Sequence, residues 1–265
     1  MRLPSLTWDV DPVLLPGGAR PLRWYVLFLA ASLIGGFFLW RWQMRRRGHD
    51  ELLAARALPY ALVSVIVGAR LGHCLFYDLE RTLADPLFVF ALWRGGLASH
   101  GAALGLVFGL WLYARRERLP LAEVFDSASF GCALGATLVR VGNLFNSEIV
   151  GRLTDQSWGV RFPRFDVHGV APLRHPSQIY EALLGAAVLA LLLWVQRRWP
   201  RHSEGLLGAL FVTSYFAGRV VVERFKAHQT LAPDALLTMG QWLSIAPLAA
   251  GALWLVLIAR RARAR

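Results

Sequence analysis

An all-α integral membrane protein, with about seven transmembrane helices and a small cap on the outer side between the fourth and the fifth, is the fold class this sequence predicts. Of its 265 residues 56% are hydrophobic and 17% charged, a balance too apolar for one water-soluble globule of this size. Apolar stretches of roughly twenty residues recur along the chain, the length at which a helix crosses hydrocarbon while satisfying its own backbone. The arginines gather in alternate loops, which fixes an orientation across a bilayer.

The opening run MRLPSLTWDVDPVLLPGGAR holds acids and prolines and lacks a basic start followed by an apolar core and a small-residue cleavage site. No removable signal peptide is expected, and the first hydrophobic helix stays as an anchor. The expected spans are residues 23–42, 57–77, 97–114, 121–139, 177–195, 205–222 and 238–259. At the start of the third, WRGGLASHG places glycines, a serine and a histidine, which suits a re-entrant or broken segment lined by protein. After the first, third, fifth and seventh spans stand RWQMRRRGHDE, RRER, RRWPR and RRARAR, whereas DLERTLADP after the second carries more acid than base. The basic loops are cytoplasmic by this bias, so the amino terminus lies outside and the carboxy terminus inside. Residues 151–176 form the longest outer connection. Within it SWGVRFPRFDVHGVAPLRHP spaces glycine, proline and aromatics as in a small ordered cap with turns or short strands. The organisation expected is one polytopic membrane domain over residues 1–265, with an outer elaboration at about 151–176.

The net charge is +12, and Lys226 is the single lysine among 29 basic residues. Nucleic-acid binding would need a basic face on a long polar domain, and no stretch is long and polar enough. Cys74 and Cys132 each lie inside an apolar segment, which supports neither a disulfide framework nor a cysteine metal site. His73, His175 and Glu148 make no metal-ligand spacing such as H-E-x-x-H, and neither a G-x-S-x-G elbow nor a P-loop is present. No metal or other cofactor is expected.

The arginines that run against the charge bias are Arg140, Arg152, Arg161, Arg164, Arg174, Arg219 and Arg224. Charged groups at membrane depth face a cavity or one another, and four polar clusters stand at or near outer helix ends. They are Arg70 with His73 and Tyr77, Arg94 with Ser99 and His100, Arg140 with Asn143, Asn146 and Glu148, and Arg219 with Glu223, Arg224 and Lys226. All can converge on one outward-opening pocket. Arg219 and Glu223, at i, i+4, can share a helix face, as can Arg140 and Asn143 at i, i+3 if the helix continues. Several arginines with few acids leave positive charge over, and a guanidinium fork suits a phosphate. His100, in GLASHGAALG, reads as a general base or as a donor to an anionic group.

These clusters, in this order, resemble the bacterial prolipoprotein diacylglyceryl transferases over nearly the whole chain. RWYVLFL resembles the family's aromatic opening around Tyr25, VGARLGHCLFYD its second-span motif and WRGGLASHGAALG its His-Gly segment. VRVGNLFNSEIVGR is similar to the signature G-x-R-x-G-N-x-x-N-x-E-x-x-G-R, with Leu138 in place of the leading glycine. RHPSQIYEALLG and GRVVVERFK are further matches. The chain departs from the pattern at Val26, His73, Ala102 and Leu144 and in the run KAHQ.

The resemblance implies an inner-membrane enzyme with its active site towards the periplasm. It would move the diacylglyceryl group of phosphatidylglycerol onto the lipobox cysteine thiol of a pre-lipoprotein. Its partners would be that lipid, lipobox peptides and the surrounding membrane lipids; the sequence carries no sign of an oligomeric state. Carried over by position, His100, Arg140 and Arg219 would be catalytic. Tyr25, Arg70, Asn143, Asn146, Glu148, Gly151 and Glu223 would hold substrate. Two other readings stand beside this one: an anionic-lipid binding or transport protein that makes no covalent product, and a transferase with another acceptor.

Overall fold

The structure is a computed structural model that describes residues 6–17, 21–227 and 236–263. Short strands β1 (Leu6–Thr7), β2 (Val13–Leu15) and β3 (Leu22–Arg23) lead into α1 (Trp24–Arg46) and α2 (Glu51–Phe76). After α3 (Leu79–Ala84) come two 3-10 turns, Pro86–Phe90 and Leu92–Arg94, then α4 (Ser99–Glu117) and α5 (Leu121–Phe145). Strands β4 (Val160–Arg161) and β5 (Leu173–Arg174) precede α6 (Ser177–Arg198). The chain ends with α7 (Leu206–Val222), a 3-10 turn Glu223–Phe225, and α8 (Met239–Arg263).

Six of these helices, α1, α2, α5, α6, α7 with its 3-10 turn, and α8, are long and apolar enough to cross a membrane. They leave large apolar side chains such as Ile34, Phe38, Val63, Leu183 and Leu253 exposed, the face that lipid rather than water would cover. The third expected span, residues 97–114, is also a helix, but this helix, α4, is not among the six. Ser99 and His100 occupy its first turn and Arg115 and Arg116 its last, so its mean hydropathy is diluted at both ends. The second span begins at Glu51 instead of residue 57, because Asp50 caps the helix by accepting from Leu53 N at 2.6 Å and Glu51 suits its positive end.

The chain divides into two compact units, residues 40–127 and residues 1–39 with 128–265, and the boundaries fall inside α1 and α5. In the 40–127 unit, α2 and α4 meet through small residues at four-residue intervals. A Cβ added to Gly101 would fall on the Gly68 carbonyl, one on Gly105 on the Ser64 carbonyl, and one on Gly109 on the Tyr60 carbonyl. Small side chains four apart let helix backbones approach closely where no hydrophobic effect drives them together. At the other end of this unit Arg47 pairs with the fully buried Asp126 at 2.8 Å, and His49 pairs with Glu123.

In the other unit Phe130 and Ala133 of α5 pack with Val188, Leu192 and Val195 of α6 and Leu207 of α7. The expected cap is built around Val150, Val160 and Phe162, with Trp8 and Leu144 against them. Its sheet runs β1-β4-β5, with β1 parallel and β5 antiparallel to β4. Trp8 ties it down by donating from Nε1 to the Leu144 carbonyl at 2.9 Å.

Two glycine substitutions separate packing from helix propensity. Gly105→Ala is expected to lower the thermal midpoint by the equivalent of about 1–3 kcal/mol through overpacking. Gly135→Ala, whose Cβ would meet nothing within 4 Å, is expected to raise it by up to about 1 kcal/mol. Thermal unfolding of the detergent-solubilised chain checks both.

Candidate active site

Glu181 lies one turn into α6 and is 1% exposed. A lone carboxylate there would be severely desolvated, and three cations answer it. Arg140 of α5 brings Nε to 2.9 Å from Oε2, and Arg219 of α7 brings Nη1 to 3.5 Å from Oε1. Lys226, just past the 3-10 turn, places Nζ 3.5 Å from Oε1 and 3.1 Å from Glu223 Oε2. Oε2 of Glu181 accepts no hydrogen bond among the described residues. Its contact with Arg140 is therefore one of charge at close range, with the Nε–H not aimed along it.

Arg140 also opens a chain of hydrogen bonds. Its Nη1 donates to Asn143 Oδ1 at 3.1 Å, and Asn143 Nδ2 donates to Glu148 Oε2 at 3.2 Å. Asn146 Nδ2 donates to Glu148 Oε1 at 3.0 Å. The backbone makes this possible by turning sharply after α5. Ser147 and Ile149 take φ of 52° and 57°, and Glu148 N returns to the Asn143 carbonyl at 3.0 Å. Left-handed conformations at non-glycine residues are strained, and α6 holds them in place. Gln178 Nε2 donates to the Glu148 carbonyl and Ser177 Oγ to the Ile149 carbonyl, both at 2.7 Å. The residues that fix the turn thus stand three and four positions before Glu181. The Tyr25 ring closes over Gly142, where a Cβ would come within 3.0 Å of it.

Gly151 threads between two backbone segments. Its N–H donates to the His175 carbonyl at 2.9 Å, it bridges to Lys226, and Arg152 N donates to the Phe225 carbonyl at 2.9 Å. A Cβ at Gly151 would fall on the His175 carbonyl and press on that of Phe225, prising apart the pairing that holds Lys226. The His175 ring meets Tyr180 Oη at Nδ1 (3.2 Å) and the edge of Phe225 at 5.1 Å. Desolvation there pulls its pKa below the ordinary histidine value, with Asp155 partly opposing.

The 40–127 unit holds the other expected residues. Arg70, 2% exposed, donates Nη2 to the Phe88 carbonyl (2.5 Å) and Nε to that of Val89 (3.0 Å). Its Nη1 reaches the carbonyls of Gly95 (2.6 Å) and Gly96 (3.2 Å), and its guanidinium lies 4.4 Å from the Phe88 ring centre. His73 Nε2 contacts Asp78 Oδ2 at 3.0 Å. His100 stands edge-on to Phe76 at 5.4 Å and tilted to Tyr77 at 5.7 Å; Arg94 is exposed.

The structure therefore brings Tyr25, Arg140, Asn143, Asn146, Glu148, Gly151, Arg219 and Glu223 into one neighbourhood. Arg70, His73, Tyr77 and His100 form another, inside residues 40–127. Arg219 pairs with Glu181 and Glu223 with Lys226, so the expected i, i+4 partners meet through their neighbours. Glu181, given no role by sequence reading, is the hub. Its one visible signal was that of a lone acid in an apolar helix. No group of three or more potential metal ligands is found among the described residues.

A family model described as prolipoprotein diacylglyceryl transferase matches residues 12–257. The chain belongs to this family. Curated members named phosphatidylglycerol–prolipoprotein diacylglyceryl transferase are similar along almost their whole length. That of Porphyromonas gingivalis is 40% identical over 97% of this chain and 96% of its own. That of Tolumonas auensis is 37% identical over 98% and 100%, and that of Chloroherpeton thalassium 38% over 93% and 91%. In this member of the transferase family the matched region contains the whole Glu181 cluster.

His175 sets a pH dependence. With a folded pKa below the ordinary 6.5, the unfolded chain binds a proton that the folded one refuses as pH drops beneath that value. The stability contributed by the neutral ring is whole above pH 6.5 and is lost as pH falls through the interval below it. His175→Gln is expected to flatten that part of a thermal-midpoint profile between pH 7.5 and 5.5 (about one unit either side of the ordinary value). An unchanged slope would assign it to other groups.

Proposed function

We propose that this chain transfers the diacylglyceryl group of phosphatidylglycerol to the lipobox cysteine thiol of pre-lipoproteins, forming a thioether and releasing glycerol phosphate. The observation that carries the reading is the buried Glu181 carboxylate with Arg140, Arg219 and Lys226 around it. The direct ion pairs set three cations against Glu181 and Glu223, with the Glu148 carboxylate one amide away from Arg140, so it is the fixed guanidinium N–H groups, more than a net charge, that suit a phosphodiester. Family membership supports the same reaction.

In this reading the thiolate attacks the glycerol carbon esterified to phosphate. The carbon–oxygen bond breaks with its electron pair going to the phosphate oxygen, and the proton given up by the thiol ends on the released phosphate. Arg140 and Arg219 hold the phosphate and stabilise the charge it gains, the work that fixed cations do best in a water-poor site. Asn143 and Asn146 hydrogen-bond the head-group hydroxyls, Glu148 orients both amides, and Tyr25 flanks the lipid. Glu181 positions the two arginines, Glu223 positions Lys226, and Gly151 keeps Lys226 in register. Within residues 40–127, Arg70 gathers the carbonyls of the segment that leads into α4 and so positions His100, the candidate proton acceptor of that unit.

The same reading places the chain as one multi-pass domain in the bacterial inner membrane, with the amino terminus and the 151–176 cap in the periplasm and the carboxy terminus in the cytoplasm. The arginine runs that close α6 and α8 support that orientation.

Mass spectrometry of a lipobox peptide incubated with the purified chain and phosphatidylglycerol tests the reading. A diacylglyceryl mass addition is expected, and Arg140→Ala is expected to slow it about 100-fold or more while the chain stays folded. An unmodified peptide with bound lipid would mark a non-catalytic lipid-binding protein. Lipid turnover without peptide modification would mark another acceptor.

A further inference from the structure

The cap contains a cleft of about 640 Å³ that the reaction above leaves unused, within the ~300–1,000 Å³ usual for ligand clefts. Trp158, His175 and Phe225 form its aromatic side, and residues 153–156 form the rest. The aromatic side is organised. Trp158 Nε1 donates to Tyr180 Oη at 3.0 Å, and Tyr180 Oη reaches His175 Nδ1 at 3.2 Å. Phe225 packs edge-on against both His175 and Tyr180. The indole is fixed by its nitrogen yet 58% exposed, and Leu153 beside it is 63% exposed.

The lining carries one carboxylate, Asp155, and no guanidinium or ammonium group among the described residues. With His175 kept neutral, nothing there would draw a phosphate. The Thr154 hydroxyl, the Gln156 amide and the Asp155 carboxylate offer donors and acceptors suited to peptide groups, and a fixed indole is the kind of platform that anchors a peptide side chain. The cleft also adjoins the anion site along the backbone. Phe225 lines it, the next residue is Lys226, and Arg152 locks both by donating from N to the Phe225 carbonyl and from Nε to the Lys226 carbonyl, each at 2.9 Å.

We propose that this cleft binds an extended, uncharged or basic stretch of the acceptor polypeptide just past its cysteine. The inference rests on the transferase reading. An acceptor whose thiol reaches the cluster must continue beyond it as polypeptide, and the cleft is the polar-rimmed aromatic groove one residue from Lys226.

Transfer kinetics of the full chain with two lipobox peptides test this, one ending at the cysteine and one continuing for six residues of neutral sequence. The wild type is expected to show a KM about tenfold lower for the longer peptide. Trp158→Ala is expected to remove that advantage, with kcat and the KM of the short peptide unchanged. Leu153→Ala is expected to reduce it, and Trp158→Phe to keep most of it. Equal KM values for the two peptides in the wild type would overturn the inference, and so would a Trp158→Ala effect that falls equally on both peptides or on the KM for phosphatidylglycerol. Transfer to neither peptide by the wild type would overturn the transferase reading itself.

Discussion

A carboxylate buried in a membrane helix needs cations, and the fold around the site follows from how Glu181 obtains them. They come from α5 and from α7 with the turn that follows it, so two regions far apart in sequence are fixed to one point on α6. Removing one partner of a buried charge cluster leaves the others uncompensated, which costs about 3–5 kcal/mol. The same contacts make the chemistry possible. Two guanidinium groups that would otherwise repel each other are held on one carboxylate, largely out of water, with N–H groups left for an anion. Glu181 thus acts on the substrate through the arginines it positions.

The two units show two ways of satisfying a buried guanidinium. Arg140 and Arg219 lean on a carboxylate, which offsets part of their charge and leaves donor directions for a ligand. Arg70 is enclosed by backbone carbonyls of residues 88, 89, 95 and 96, which take its donors and leave it a loop-shaping role. Glycine permits that enclosure: Gly96 has φ of 78°, and a Cβ there would strike His73. Around Glu181 the corresponding device is the pair of left-handed residues Ser147 and Ile149, which return Glu148 to Asn143.

The membrane helices were legible because spanning hydrocarbon demands long apolar runs, and a cap with short strands was legible from its turn residues. The start of α2 was not, because Asp50 and Glu51 extend a helix beyond its apolar stretch. The polarity at both ends of α4 is visible in the sequence, and the segment between them is a helix as expected. In the site, the contact between Arg140 and Asn143 could be read from helical spacing. The pair expected of Arg219 and Glu223 from the same spacing does not form directly, since α7 ends at Val222 and the tighter turn that follows points Glu223 to Lys226. Glu181 lies 41 residues beyond Arg140 and 38 before Arg219, and nothing local announces that three cations converge on it. The carbonyl acceptors of Arg70 were not legible, because no side-chain pattern reveals backbone partners.

The account stands or falls on the coupling between Glu181 and Arg140, and a double-mutant cycle on unfolding free energy measures it most directly. Glu181→Gln, Arg140→Gln and the double variant are compared with the wild type in one detergent. The account expects the double variant to lose less than the sum of the single losses, by more than about 1 kcal/mol. Additivity to within about 0.5 kcal/mol would mean that the two side chains do not share a buried site, and would contradict it.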